Sequence, residues 1–182
     1  MENKIDSDSE IDFCSVENVE NVKNVDNVEN VENKKDVEPF NINYRDYNGN
    51  SALHWVAIYD NRNILELLLR ESNIDVNLQN NNGNTALILA AQNNCDLIVR
   101  SLLSHPNIDI NILNKQKKSV YDIIDQQMPL PLTQKCSSSL LNCFQYIVEH
   151  PKLDIKHKNN CLIKAAAYGL RDVVRHLIRF NT

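Results

Sequence analysis

Residues 41–57 read NINYRDYNGNSALHWVA and residues 76–91 read VNLQNNNGNTALILAA. Laid over each other at a step of 34, they place Gly49 on Gly83, Ser51 on Thr85 and Leu53 on Leu87, while Asn43 falls on Asn77 and then on Asn111. Shorter phrases keep time with them: NIDVN at 73–77 and NIDIN at 107–111 lie 34 residues apart, and KLDIK at 152–156 follows after 45. A period in the low thirties, with a turn cluster ahead of a helical apolar pattern, is the signature of a helical repeat array. The longer second step marks an insertion.

Each landmark has a physical task. Gly49 and Gly83 fit a turn that needs positive φ, and the asparagines before them tolerate it too. The hydroxyls of Ser51, Thr85 and Ser119 stand where a helix N-cap must accept a backbone N–H. Val56-Ala57, Ala90-Ala91 and Ala165-Ala166 are slim enough to let that helix lie close to its neighbours. Leu67, Leu68 and Leu69, with counterparts in Leu102 and Leu103, are expected to supply the core between units.

These residues resemble the ankyrin repeat family, whose unit is a β-turn finger followed by two antiparallel helices. The first-helix motif appears as GNSALHWVA at 49–57, GNTALILAA at 83–91, KKSVYDIID at 117–125 and NNCLIKAAAYG at 159–169. Second helices follow as NILELLL at 63–69, DLIVRSLL at 96–103, CFQYIVEH at 143–150 and RDVVRHLI at 171–178. The resemblance implies an all-α, ankyrin-type α-solenoid of helix-turn-helix repeats with short β-turn fingers over 39–182, in units near 46–79, 80–113, 114–158 and 159–182. Unit three departs from the pattern, with Lys117 at the glycine position and Tyr121-Asp122 for the usual Leu-His. Ahead of unit four the finger is shortened, because Lys156 to Asn160 spans four residues where Asn111 to Ser119 spans eight.

The insertion falls inside unit three. Pro129 and Pro131 in MPLPLTQKCSSS forbid a continuing helix, so the first helix should end near Gln127 and the second start near Ser139. The resemblance implies that this 128–138 loop projects on the side away from the fingers. It reads as a tolerated surface insertion, with a second docking element as the alternative.

Residues 1–38 carry 12 Asp/Glu against 4 Lys/Arg, more than the whole net charge of −5. Within them Val16, Val19, Val22, Val25, Val28 and Val31 recur at a step of three, which matches neither helix nor strand. This segment reads as a disordered acidic low-complexity leader. Five scattered cysteines without a CxxC pair point to reduced thiols. MENKIDSDSEIDF is not the basic-then-apolar start of a secretory signal, and no window approaches the roughly 18 apolar residues of a membrane span. A cytoplasmic protein is expected. Heavy use of asparagine suggests an AT-rich coding source, and a virus or intracellular bacterium would move the working compartment to a host cell.

Catalytic and metal-binding constellations are weak. His54, three residues after Ser51, reads as a support for the junction between finger and helix. His105 and His150 each precede proline at a helix end and suit a C-terminal cap. Cys136, Cys143, His150 and His157 are spaced seven apart, without the close pairs of structural zinc sites. Neither NGNSA nor NGNTA is followed by the lysine of a phosphate loop. No cofactor, no metal and no small-molecule substrate are expected, and the chain reads as non-catalytic, with a small hydrolase or metal enzyme as the rival class.

In the family the finger tips and the positions after the small pair line the concave face. Here they are Tyr47, Asn48, Asn50, Ile58 and Tyr59 in unit one; Asn81, Asn82, Asn84, Gln92 and Asn93 in unit two; and Lys115, Gln116 and Lys118 in unit three. Apolar and aromatic at one end and polar at the other, they suit a protein partner. Trp55, in register with Leu89 and Ile123, reads as core packing. Arg171, Arg175 and Arg179, with Lys164 nearby, read as the solvated face of a terminal repeat, a seat for the acidic leader or an anionic partner being the alternatives. The expectation is a monomer that binds one protein partner without membrane or nucleic acid; an adaptor that recruits a host or cellular protein to a larger complex is the alternative.

Overall fold

The computed structural model describes residues 40–128, 136–154 and 157–179. The leader at 1–38 and most of the 128–138 insertion lie outside the described residues. Eight helices occur among the described residues: α1 (Ala52–Tyr59), α2 (Arg62–Leu69), α3 (Ala86–Gln92), α4 (Asp96–Leu103), α5 (Val120–Gln127), α6 (Ser138–Val148), α7 (Lys158–Ala167) and α8 (Arg171–Arg179). No strand accompanies them among the described residues. The insertion is bounded as its prolines require, by Gln127 on one side and Ser138 on the other.

The helices form antiparallel pairs in two layers, α1, α3 and α5 in one and α2, α4 and α6 in the other, with α8 against α7. Helices α2, α3, α5 and α6 each begin on a side chain that accepts from one of the open N–H groups. Thr85 Oγ1 accepts from Ile88 N at 3.3 Å, and Ser119 Oγ from Asp122 N at 3.3 Å. Left-handed residues then turn the chain from the first helix to the second: Asp60 at φ 51°, Asn94 at 57° and Gly169 at 70°. Asn and Asp tolerate this region and glycine enters it freely.

The core runs through the pairs, with Leu53, Leu65, Leu87, Ile88, Ile98, Leu102, Ile124, Phe144 and Ile147 buried. The phrases between units belong to it. Ile74 and Val76, Ile108 and Ile110, and Leu153 are buried, which is why NIDVN, NIDIN and KLDIK alternate apolar with polar residues.

The ends of the stack correct three expectations. Trp55 is 39 % exposed, whereas its counterpart Ile123 is buried. Leu67 is exposed and Leu68 and Leu69 only half-buried, leaving Leu65 as the buried leucine of α2. Ala165 is buried but Ala166 is not. In each case the residue sits on a first or last unit, and no described helix covers its outer side. Position in the stack, not the motif, sets burial.

Candidate functional site

Each finger is shaped by one polar residue in register with the repeat. Asp46 Oδ1 accepts from Asn48 N and Asn50 N, both at 2.8 Å. Asn80 Oδ1 does the same for Asn82 N and Asn84 N at 2.9 and 3.0 Å, and Asn114 Oδ1 for Gln116 N and Lys118 N at 2.9 and 3.1 Å. Such Asx turns hold a loop without help from a sheet. Asp46, Asn80 and Asn114 are absent from the sequence-based site, although their spacing of 34 could have revealed them.

Consecutive fingers are zipped together. Asn81 N donates to Asn48 O at 2.9 Å, and one repeat later Lys115 N donates to Asn82 O at 3.0 Å. Asn80 Nδ2 donates to Asn50 Oδ1 at 2.9 Å, and Asn114 Nδ2 to Asn84 Oδ1 at 3.0 Å. A second ladder runs along the other end of the units. Asn43 Nδ2 donates to Asn73 O while its Oδ1 accepts from Asp75 N; Asn77 repeats this with Asn107 O and Asp109 N, and Asn111 with Lys152 O and Asp154 N. These amides each satisfy two main-chain groups of the following unit, and they explain why Asn43, Asn77 and Asn111 coincide in the register.

Beneath the first finger, His54 Nδ1 accepts from Ser51 N at 3.1 Å and stands 2.8 Å from Ser51 Oγ. Nε2 is left to donate to Asn84 O at 3.0 Å. Burial lowers the His54 pKa from its ordinary 6.5, so the ring is neutral in this post. In unit three Asp122 stands in the histidine's register, and its Oδ2 accepts from Ser119 N and Oγ, both at 2.7 Å. Outwardly worn, unit three keeps the junction by a different acceptor. His105 and His150 likewise serve turns, their Nδ1 atoms accepting from Asn107 N and Lys152 N at 3.3 Å.

The sequence-based site residues thus divide. Asn50 and Asn84 are buried between fingers, a correction to their reading as exposed contacts, because their carboxamides hold the stack. The Asn81 amide is occupied by Tyr47 O at 2.9 Å, and Lys118 Nζ by Gln126 Oε1 at 3.0 Å. Tyr47 is 90 % exposed and Tyr59 74 %. Asn48, Asn82, Asn93, Lys115 and Gln116 are exposed, and Ile58 and Gln92 half-buried. A groove of about 230 Å³ brings together Asn82, Gln92, Lys115 and Gln116 over the buried Asn84 and Asn114.

Trp55, which the register with Leu89 and Ile123 places in the core, instead adds an aromatic group to this surface. Its ring stacks on Tyr59, centroids 5.8 Å apart, and its Nε1 donates to Asp46 Oδ2 at 3.0 Å. With Phe40, Ile42, Tyr44 and Leu68 it also lines a hollow of about 300 Å³ at the first unit.

At the other end, Lys164 is 6 % exposed and pairs with Asp125 Oδ1 at 2.7 Å. It therefore does not extend the basic face of α8, where Arg175 pairs with Asp172 at 2.8 Å. Tyr121 OH donates to Asp125 Oδ1 at 2.9 Å, and Asn160 Nδ2 reaches the same oxygen at 2.8 Å. Burial drives the Tyr121 hydroxyl upward and the Cys161 thiol to about 11, so both stay protonated. Among the described residues no three His, Cys, Asp or Glu side chains converge as a metal site.

Comparison with known proteins agrees with this architecture. The family profile for ankyrin repeats (3 copies) matches residues 18–114, more than half of the 182-residue chain; α1 to α4 fall inside the match and α5 to α8 beyond it. An ankyrin repeat domain from Acinetobacter baumannii AYE superposes with a TM-score of 0.55 at 19 % identity, over 76 % of this chain and 68 % of that one. A second ankyrin repeat protein superposes with a TM-score of 0.53 at 23 % identity, over 78 % of this chain and 63 % of that one. No curated protein matches the sequence. Repeated fingers, paired helices and a profile match over most of the regular units together show that the chain belongs to the ankyrin repeat family.

Proposed function

We propose that this chain is a non-catalytic module that captures a partner protein on the concave face made by its fingers and first helices. Ankyrin repeats in general serve protein–protein interaction. The observation that carries the reading here is the division of labour among finger residues. The buried amides of Asn50, Asn80, Asn84 and Asn114 fix the fingers, while Tyr47, Tyr59, Asn82, Asn93, Lys115 and Gln116 stand exposed on them or beside them. A rigid base loses little freedom on binding, so its exposed aromatic and polar groups can act as anchors at low entropic cost.

The neutral, doubly bonded His54 supports a structural role over a catalytic one. Among the described residues no helix is long and apolar enough to cross a membrane; a cytoplasmic setting, one protein partner and a monomeric module complete the proposal. Affinity capture with the full chain and with a Tyr47→Ala/Tyr59→Ala variant tests the reading. Loss of captured partners by the variant is the expected result; equal recovery of every partner overturns it.

A further inference from the structure

Gly49, Gly83 and Lys117 stand one repeat apart and share left-handed backbone, at φ 76°, 75° and 59°. In the first two fingers glycine is required twice. Besides the dihedral, a Cβ at Gly49 would lie 2.7 Å from Asn81 N, and one at Gly83 would lie 2.6 Å from Lys115 N, because the next finger packs there. Beyond the third finger, the shortened start of unit four presents no such finger among the described residues, and the Lys117 side chain is exposed. The steric demand for glycine has gone, but the conformational cost of a side chain at positive φ remains.

That cost is carried by a lysine flanked by two more. Among the described residues, none of Lys115, Lys117 and Lys118 forms an ion pair with a carboxylate, and the one hydrogen bond from their ammonium groups runs from Lys118 to Gln126. The Gln116 carbonyl occupies the register from which Asn48 and Asn82 accept the next finger's amide, and no described backbone amide reaches it. Beside it lies the groove of Asn82, Gln92, Lys115 and Gln116, lined by polar side chains throughout. A strained cationic position, two neighbouring ammonium groups and an open main-chain acceptor meet at one finger.

Resting on the protein-binding reading above, we propose that the third finger is the acid-reading end of that face and takes a short, extended acidic segment of the partner protein. Carboxylates of that segment meet Lys115, Lys117 and Lys118, and a backbone amide of it donates to the Gln116 carbonyl. A peptide fits better than a nucleic acid. The groove is lined by carboxamides and Lys115, without an aromatic platform for bases.

The test uses the full chain and a labelled decaglutamate peptide, with decaglutamine as control, at about 50 mM and about 300 mM salt. Decaglutamate should bind, more weakly at high salt, and decaglutamine should not. Lys117→Gly should weaken binding about threefold without lowering the melting temperature, because glycine accepts the dihedral. Combining it with Lys115→Gln and Lys118→Gln should weaken binding about thirtyfold. Failure of the wild type to bind decaglutamate, equal binding of the two peptides, or equal affinity in the triple variant overturns the proposal. A single-stranded oligonucleotide that binds more tightly than decaglutamate, and is lost in the same variant, overturns it in favour of nucleic acid. The Tyr47/Tyr59 capture result does not depend on these outcomes, so the acidic preference can fail while the binding face stands.

Discussion

The joints between units one, two and three are made of neutral amides, repeated almost atom for atom: Asn80 to Asn50 and Asn114 to Asn84 between fingers, Asn77 and Asn111 along the other ladder. The joint between units three and four repeats none of these amide bonds among the described residues and is held instead by a charged cluster of Lys164, Asp125, Tyr121 and Asn160. A repeat that is copied can reuse the same bonds. Once the finger of unit four is shortened the copied acceptors have no counterparts, and one ion pair between the buried Lys164 and the half-buried Asp125, with neutral hydrogen bonds around it, takes over their place. The two solutions differ in risk. An amide bond lost at a half-exposed edge is partly replaced by water, whereas a buried charge left without its partner is not.

Four measurements would break or sharpen this comparison. The largest effect is expected from Gly83→Ala, where a Cβ would face Lys115 N at 2.6 Å and Asn114 Cα at 3.1 Å at a φ of 75°. Two rigid main-chain neighbours and the dihedral together should cost about 3 kcal/mol in urea unfolding. Gly169→Ala is its control, since φ is 70° there and nothing lies within 4 Å; it should cost about 1 kcal/mol, the dihedral alone. Equal losses at the two glycines would mean that finger stacking does not restrict the Gly83 site.

Lys164→Ala comes next. It leaves Asp125, whose side chain is 26 % exposed, with hydrogen bonds but no counter-charge, and should cost about 2–3 kcal/mol. Double substitution with Asp125→Asn should recover part of that loss; full additivity would show that the pair does not act as a unit.

Asn77→Ala removes two bonds, to Asn107 O at 2.8 Å and from Asp109 N at 2.9 Å, at a half-buried site. About 1–2 kcal/mol is expected, less than at Lys164, and a larger loss would reverse the ranking of the two joints.

The smallest effect is in pH. Burial lowers the His54 pKa below 6.5, so the unfolded chain takes up a proton before the folded one does. Stability from this group is fully present above about pH 6.5 and falls as the pH drops from there toward the folded pKa. A His54→Asn variant should show a shallower decline between about pH 6.5 and pH 5 in thermal unfolding. An unchanged slope would remove His54 from the account, leaving His150, whose pKa burial also lowers, to explain the dependence.

Much of this was legible beforehand, and the reason is specific. Positive φ at Gly49 and Gly83, hydroxyl caps at Thr85 and Ser119 and the prolines of the insertion are demands that one or two residues make on the local backbone. Such demands survive in the text of the chain. Asp122 departs from the histidine that the pattern leads one to expect, yet the junction needs an acceptor for Ser119 N and Oγ, which a carboxylate supplies. Among the site residues, Tyr47 and Lys115 could be placed on finger tips by register alone, whereas Asn50 and Asn84 could not be told from Asn48 and Asn82. All four are asparagines in the same turn, and only the approach of a neighbouring finger decides which amides are enclosed.

The sequence by itself determined the unit, its period, the caps and turns of each helix and the position of the insertion, because these follow from single-residue geometry and helical periodicity. Tertiary structure decided what depends on having a neighbour: that Trp55 is exposed while Ile123 is buried, that Lys164 belongs to an interior ion pair and not to a basic surface, and that glycine is enforced at 83 but not at 117. Burial, ion pairing and steric exclusion are properties of two surfaces in contact, and a repeat stack makes them differ between copies of one motif according to which copies have a next one.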